Sequence, residues 1–426
     1  MTVQPSVVET LGYSAETALG TPDTYTEIRY TDFAAPWQTR MLADNPTNGH
    51  AHPYDTADSR PVAFEKCREG AVSFSTEVRR SSTTDTAPPL AAMFASAGCG
   101  VLTNSKTTVD GYTSAIAFSL AAAGAGAGQA MLVELSNGQY WPTLVASNSG
   151  AATYNVVPVV ALPSATESAK AIEVMSTIYP RLRQVPATAT LSFLRSTLAD
   201  YTGGTNQIAL AYNGCALAKG PAIAIQPSGQ TVKVPLSFHA AKIVSSDTKL
   251  SAETFVDSER FVVTDDNLRC DFVTFSASGG IAASALAIYG ATLDTGFTTV
   301  PIYAGGSQAT VGGIQGYMHV PGVPMLTLQA DLDISYLDAL ESAQTLHEIA
   351  IVQPTTSLAT PAMGIWCHNA HLVGDDAVTV DYRGKSFATV TLKYRLGSAM
   401  LGADEEIDSA AAAPWHIAIS GQGGEA

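Results

Sequence analysis

The segment MLTLQADLDIS places Leu326, Leu328, Ala330, Leu332 and Ile334 on one side of an extended chain, with Thr327, Gln329, Asp331 and Asp333 on the other. A period of two marks a strand with one buried and one wet face, because successive side chains leave opposite sides of the pleat. AVSFSTEVRR repeats the pattern, with Val72, Phe74 and Val78 set against Ser73, Ser75 and Glu77. Similar runs bounded by Gly, Pro, Asn or Asp predict strands over 188–195, 207–217, 221–226, 230–244, 255–263, 270–276, 347–353, 363–373, 377–382 and 385–396. Turn signals such as Pro227-Ser228-Gly229 and Arg383-Gly384 separate neighbouring runs.

Helical signals are few. PPLAAMFASAG sets Pro89 in a first turn, Leu90, Met93, Phe94 and Ala97 on one face, and Gly98 as a stop. SYLDALESAQ has Ser335 as an N-cap and Leu337 and Leu340 as its apolar side. Ser164 and Glu167 have capping-box spacing ahead of AKAIEVMS, which predicts a third short helix. The expected fold class is mainly β, sandwich-like, with one or two packing helices per domain.

An internal repeat divides the chain. CALAKGPAIAIQPSGQT, starting at 215, lies over AHLVGDDAVTVDYRGKS, starting at 370, without a gap at an offset of 155. Leu217 matches Leu372, Ile223 matches Val378, Ile225 matches Val380 and Gly229 matches Gly384. Each copy is followed by an alternating strand, and each is preceded by a half-polar strand and then a short helix. The expected organisation is a first domain over 1–250 with an insertion at about 101–186, a second over 251–400, and a solvated tail over 401–426. The insertion holds the spacer AAAGAGAGQA and a small hairpin, AMLVELSNGQYWPTLVAS. The acidic run Asp404, Glu405, Glu406 and Asp408, followed by AAAAP, is what reads as tail.

Composition narrows the function classes. Charged residues are 14% of the chain, against about 25% in ordinary soluble proteins. Such a small-residued, charge-poor exterior suits subunits that bury much of it against copies of themselves, and a secreted β-protein shares it. The formal net charge of −16 supplies no basic stripe with which to displace counterions from phosphates. Its densest basic stretches are only Arg181 with Arg183 and Arg79 with Arg80. Five cysteines, Cys67, Cys99, Cys215, Cys270 and Cys367, are odd in number and lack CxxC spacing, so free thiols in a reducing compartment are expected. MTVQPSVVETLGYSAETALG has no basic stretch leading into an apolar one, so neither a signal peptide nor a membrane anchor is expected.

Catalytic and metal-binding patterns give no convincing site. His50 and His52 share a polar loop with Asp55 and Asp58, but a closed site needs about four ligands in defined geometry. In the strand Cys367-His368-Asn369-Ala370-His371, alternation turns Cys367, Asn369 and His371 one way and His368 the other. That reads as packing and hydrogen bonding. Asp331 and Asp333 stand roughly 6.5–7 Å apart along one strand. That spacing suits an inverting carboxylate pair, yet such pairs come from different elements of an aromatic cleft. Trp37, Trp141, Trp366 and Trp415 are scattered. No GxSxG, HExxH, phosphate loop or GxGxxG stands in a strand–turn–helix context. No enzyme activity and no cofactor are expected.

Several segments, taken in order, resemble the tail tube proteins of long-tailed bacteriophages. ETALGTPDTYTEIRYTDFA is similar to that family's opening, an acidic residue and Gly-Thr-Pro leading into the first strand. PVAFEKCREGAVSFSTEVRR followed by PPLAAMFASAGCG is similar to its strand–helix unit. SFLRSTLADYTGGTNQIALAYNGCALAK and IQPSGQTVKVPLSFHAAKI resemble its closing hairpins, and PMLTLQADLDISYLDALESA through ATVTLKYRL resembles a second copy. The resemblance implies tandem tail-tube β-sandwich domains, each with a flanking helix, whose inner sheets close into a barrel. It implies a virion structural protein that assembles in the host cytoplasm, with itself, tape measure and tail-end proteins as partners. Three chains would close a ring of six domains, stacked rings would form the genome channel, and DNA would pass without specific binding. Ser73, Ser75, Glu77, Gln329, Asp331 and Asp333 would then face an acidic lumen poor in lysine and arginine. Another virion component, such as a capsid decoration or baseplate protein, or a carbohydrate-active β-protein, would share many of these features.

Overall fold

The computed structural model describes residues 7–23, 25–35, 42–43, 64–65, 70–81, 86–103, 105–106, 111–114, 117–120, 126–149, 154–163, 170–181, 185–197, 207–227, 229, 231–246, 254–255, 268–274, 279–280, 284–303, 314–331, 346–358, 360–373, 378–383, 387–401 and 408–421. The fold is mainly β, with one short α-helix, Pro89–Ala95, and one 3₁₀ turn, Ala410–Ala412, among these residues. None of the described helices is long and apolar enough to cross a membrane.

Two sheets dominate, and they share a strand order. The first contains the run Thr26–Ile28, Val7–Ala18, Ala189–Thr197, Gln207–Leu217, Lys233–Ala240, Gly70–Glu77, Tyr30–Ala34. The second contains the run Ser284–Leu286, Arg269–Thr274, His347–Gln353, Met363–Leu372, Phe387–Arg395, Met325–Asp331, Ile288–Asp294. Seven strands match place for place, and the chain visits them in the same order both times. Gln207–Leu217 and Met363–Leu372, which the sequence offset superposes, are the central strands of their sheets.

Each central strand turns a corner at the same position. Gly214 has φ 65°, and Asn369, displaced by the same offset, has φ 48°. Left-handed backbone suits glycine and, among other residues, asparagine best. The pairing register slips at both places, between Ala189 and Leu191 opposite the first corner and between His347 and Ile349 opposite the second. A bulge with a left-handed residue bends a strand, so each sheet folds over itself into two layers. Glu16 pins the first corner: its Oε1 accepts from the Gly214 amide at 2.7 Å and the Thr190 hydroxyl at 2.6 Å, and its Oε2 accepts from the Gly20 amide.

The layers close on one core. Val72, Phe74 and Val78 pack with Leu11, Leu191, Leu236 and Phe238 from the first sheet, and with Leu326, Leu328, Ile349 and Leu392 from the second. The apolar face predicted for 70–77 and 325–331 is therefore the buried one, as far as Ala330. Leu332, Ile334, Asp333 and the helix expected from Ser335 lie outside the described residues. The helix Pro89–Ala95 sits where the two sheets meet, its Phe94 ring set edge-on to Phe297 and Trp415.

The insertion is a sheet of its own. Its seven strands lie between Ser105 and Val174. The chain enters along Gly100–Leu102 and returns along Ser176–Tyr179, which pair antiparallel with each other. The predicted hairpin is present as Ala130–Glu134 against Tyr140–Ser149. Its core residues Met131, Val133, Leu144 and Trp141 pack on Val273, Ala350, Val352, Trp366 and Ala418 of the second sheet.

Three sequence expectations are corrected. The helix foreseen after Ser164 is strand instead, Lys170–Val174 and Ser176–Tyr179. Pairing with Ala130–Glu134 on one side and Gly100–Leu102 on the other supplies backbone partners that outweigh a local capping signal. The run 230–244 breaks at Ala241 into Lys233–Ala240 and Lys242–Ser246. Within 401–426, expected as a solvated tail, Trp415–Ile419 is a fully buried strand paired with both Met363–Leu372 and Ser176–Tyr179.

Candidate functional site

The half-polar strands present their polar faces outward. Gln329 and Asp331 are exposed, and Ser73, Ser75 and Glu77 are half-buried. Glu77 pairs with Lys233 across the strands, and Asp331 occupies the equivalent place opposite Thr389. The insertion packs on Ala350, Val352 and Trp366, which belong to the other layer of the sandwich. It therefore sits on the far side of the second sheet from Gln329 and Asp331.

These polar faces are mixed in charge, not purely acidic. Lys233 lies opposite Glu77, Lys393 opposite Thr327 and Arg395 opposite Met325. The Glu77 carboxylate also accepts from Arg79 at 2.7 Å, and Asp331 accepts from the Tyr289 hydroxyl at 2.5 Å. The described part of this face thus carries both signs, with exposed Asp294 opposite Met325 as a further carboxylate. Asp333, the second member of the carboxylate pair, lies outside the described residues.

A hairpin arm, Thr298–Tyr303 with Ile314–Val320, reaches from the second sheet onto the first. Its inner face is bonded there. The Tyr317 hydroxyl donates to the Gly214 carbonyl at 2.6 Å, the Thr299 hydroxyl donates to the Leu217 carbonyl, and His319 Nδ1 donates to the Ala97 carbonyl at 2.6 Å. Its outer face is apolar and wet: Val300, Ile302 and Met318 are 44%, 43% and 52% exposed. Nothing in the alternation of 298–303 told which face would be covered, because both faces carry apolar residues.

A buried polar relay crosses the second sheet. His368 Nδ1 lies 2.5 Å from Glu348 Oε2, His368 Nε2 lies 2.8 Å from His416 Nδ1, and His416 Nε2 lies 2.7 Å from the Ala410 carbonyl. All three side chains are at most 2% exposed. A carbonyl only accepts, so His416 carries its proton on Nε2. Burial and the neighbouring His368 hold His416 well below the ordinary imidazole range, so its Nδ1 is a lone pair that accepts from His368. His368 thus donates from Nε2 to His416, and its Nδ1 shares a proton with the Glu348 carboxyl.

The relay ties three strands and the Ala410–Ala412 turn together in a series of buried hydrogen bonds. Among the described residues no group of three or more His, Cys, Asp or Glu is placed to hold a metal ion. His50, His52, Asp55 and Asp58 lie outside those residues. The facing expected for the Cys367–His371 segment is also corrected: the corner at Asn369 puts Cys367 and Ala370 together in the core. His368 was singled out from sequence, but its partners Glu348 and His416 lie 20 and 48 residues away and carried no pattern.

Cys99, Cys215, Cys270 and Cys367 are free and buried. Burial pushes all four thiols up, away from the reactive thiolate. Titration with a thiol reagent is expected to miss these four in the native protein and to count five free thiols after denaturation without reductant. Neither a family model nor a curated protein sequence matches the chain.

Proposed function

We propose that the chain is a self-assembling structural subunit, a tail tube protein whose two sheet units take adjacent places in a ring. The observation that carries this reading is the repeated strand order with its repeated corner: two copies of one unit, already side by side in one chain. A chain that contains two equivalent units supports a ring of three chains with six units, as closed cyclic assemblies leave no sheet edge open. The polar strand faces would line the bore and the insertion sheet would decorate the outside. The mixed charge along the polar face would pass DNA without the net positive field that binding requires.

Negative-stain imaging of the purified protein tests the reading, with rings or hollow tubes expected. Native mass measurement on released rings is expected to give three chains. Discrete small oligomers without a bore would favour another virion component instead.

The apolar outer face of the hairpin arm fits the stacking of one ring on the next. Ile302→Asp combined with Met318→Asp is expected to leave single rings while abolishing long tubes. Sedimentation would read the change directly. Both side chains point away from the chain's own core, so a folded but non-stacking product separates this role from a packing defect.

A further inference from the structure

One element of the repeat occurs in two conformations. In the first unit, Ala222–Ile225 leaves its own sheet and adds antiparallel to Ile288–Asp294, the edge strand of the second sheet. Ile223 sits opposite Leu293 and Ile225 opposite Ala291, both isoleucines buried. In the second unit the segment at the equivalent place, Val378–Arg383, folds back on Phe387–Arg395, with Val378 opposite Leu392 and Val380 opposite Val390.

The acceptor edge also occurs twice. Ile288–Asp294 pairs inward with Met325–Asp331, and Tyr30–Ala34 pairs inward with the equivalent strand Gly70–Glu77. Ile288–Asp294 is covered on its outer side by Ala222–Ile225. Tyr30–Ala34 ends its sheet, with no further strand beyond it among the described residues, and Thr31, Asp32 and Ala34 are exposed.

We propose that Val378–Arg383 leaves its hairpin and adds to Tyr30–Ala34 of a second copy of this chain, repeating between chains the joint already made within one. The inference rests on the self-assembly reading above and names the surfaces that perform it. The internal joint is head-to-tail, because donor segment and acceptor edge are different patches. A contact of that kind repeats, and after the internal joint is made each chain keeps one unused donor and one unused acceptor. The exchange replaces one set of ladder hydrogen bonds by another, so its backbone cost is nearly balanced. The gain comes from covering an edge strand. VTVDYR keeps apolar residues at alternate positions, as AIAI does. The folded-back hairpin also explains how a single chain avoids pairing at random: the donor is occupied until an acceptor edge displaces it.

Two cysteine designs test this. Thr379 lies opposite Thr391 in the folded-back hairpin, so Thr379→Cys with Thr391→Cys locks it when oxidised. Rings and tubes are expected from the reduced protein and none from the oxidised protein, with reductant restoring them. Oxidised chains that still assemble as well as reduced ones would overturn the proposal. The internal joint sets Ala224 opposite Thr292, whose equivalents in the other units are Thr379 and Ala34. Thr379→Cys with Ala34→Cys is therefore expected to give an oxidation-dependent ladder ending at three chains, absent from either single-cysteine parent. Tubes that form without that ladder would sink the strand exchange while leaving the tube reading intact. A protein that forms no rings or tubes in any variant would overturn both.

Discussion

Glu348→Leu is expected to lower the free energy of unfolding by about 3–5 kcal/mol, the range for removing one partner of a buried ionisable pair. His368 donates from Nε2 to His416 at 2.8 Å and shares a proton at Nδ1 with Glu348 at 2.5 Å, and all three side chains are buried. Leucine removes the acceptor and strands the ring. Glu348→Gln is the informative contrast. A glutamine amide donates to His368 Nδ1, His368 keeps its proton on Nε2, and the line to His416 and the Ala410 carbonyl survives as a neutral chain. Its cost is expected to stay near ~1 kcal/mol, the range of an ordinary buried hydrogen bond. Urea unfolding curves of the two variants, with unchanged slopes, would separate the cases. Equal losses would mean that side-chain volume, and not proton matching, governs the site.

The relay also gives acid sensitivity a sign. His416 is held well below the ordinary imidazole range by burial and by His368. The unfolded chain takes up a proton on this ring near a pH of about 6.5 that the folded chain refuses. Below that pH the unfolded state binds more protons, so stability falls as pH falls, at a limiting ~1.4 kcal/mol per pH unit for this ring. Burial lowers His319 and His347 in the same sense. Asp271, raised by burial against the pull of Arg269, acts oppositely: its folded form holds a proton more tightly and gains stability as pH drops through its own titration. Urea midpoints measured from about pH 7.5 to 5.5 are expected to decline.

Excising the insertion is expected to have the second large effect. Leu102 and Thr177 are cross-strand neighbours, so a short Gly-Ser turn replacing 103–176 closes a hairpin without moving either strand. The core containing Phe74, Leu328 and Ile349 does not depend on the excised sheet. What is lost is the cover over Val273, Ala350, Val352, Trp366 and Ala418. Burying each large side chain of that set is worth roughly 1.5–3 kcal/mol, and uncovering them together makes an apolar patch of the kind that drives aggregation. The excised chain is expected to fold but to precipitate, while polar replacements at Val352 and Trp366 should recover part of the soluble fraction. A soluble, fully stable product without those replacements would show that the insertion adds nothing to the second sheet.

Alternation in 70–78 and 325–331, the strand at 207–217, the helix opened by Pro89 and the offset of 155 were legible in the chain because each rests on neighbours in sequence. A side chain's face in a strand follows from its parity, and a repeat follows from residue types. The corner shared by Gly214 and Asn369 was present too, as the two residue types that best accept left-handed backbone, but it gained meaning only when the register slip beside it was seen. Strand pairing across long separations was decided by tertiary structure alone. Lys170–Val174 became strand because Ala130–Glu134 offered it a ladder, and Trp415–Ile419 left the expected tail because Met363–Leu372 had an open edge. The Glu348–His368–His416 relay exists for the same reason: hydrogen bonds and cores join residues by distance in space, and no periodicity along the chain encodes which edges meet.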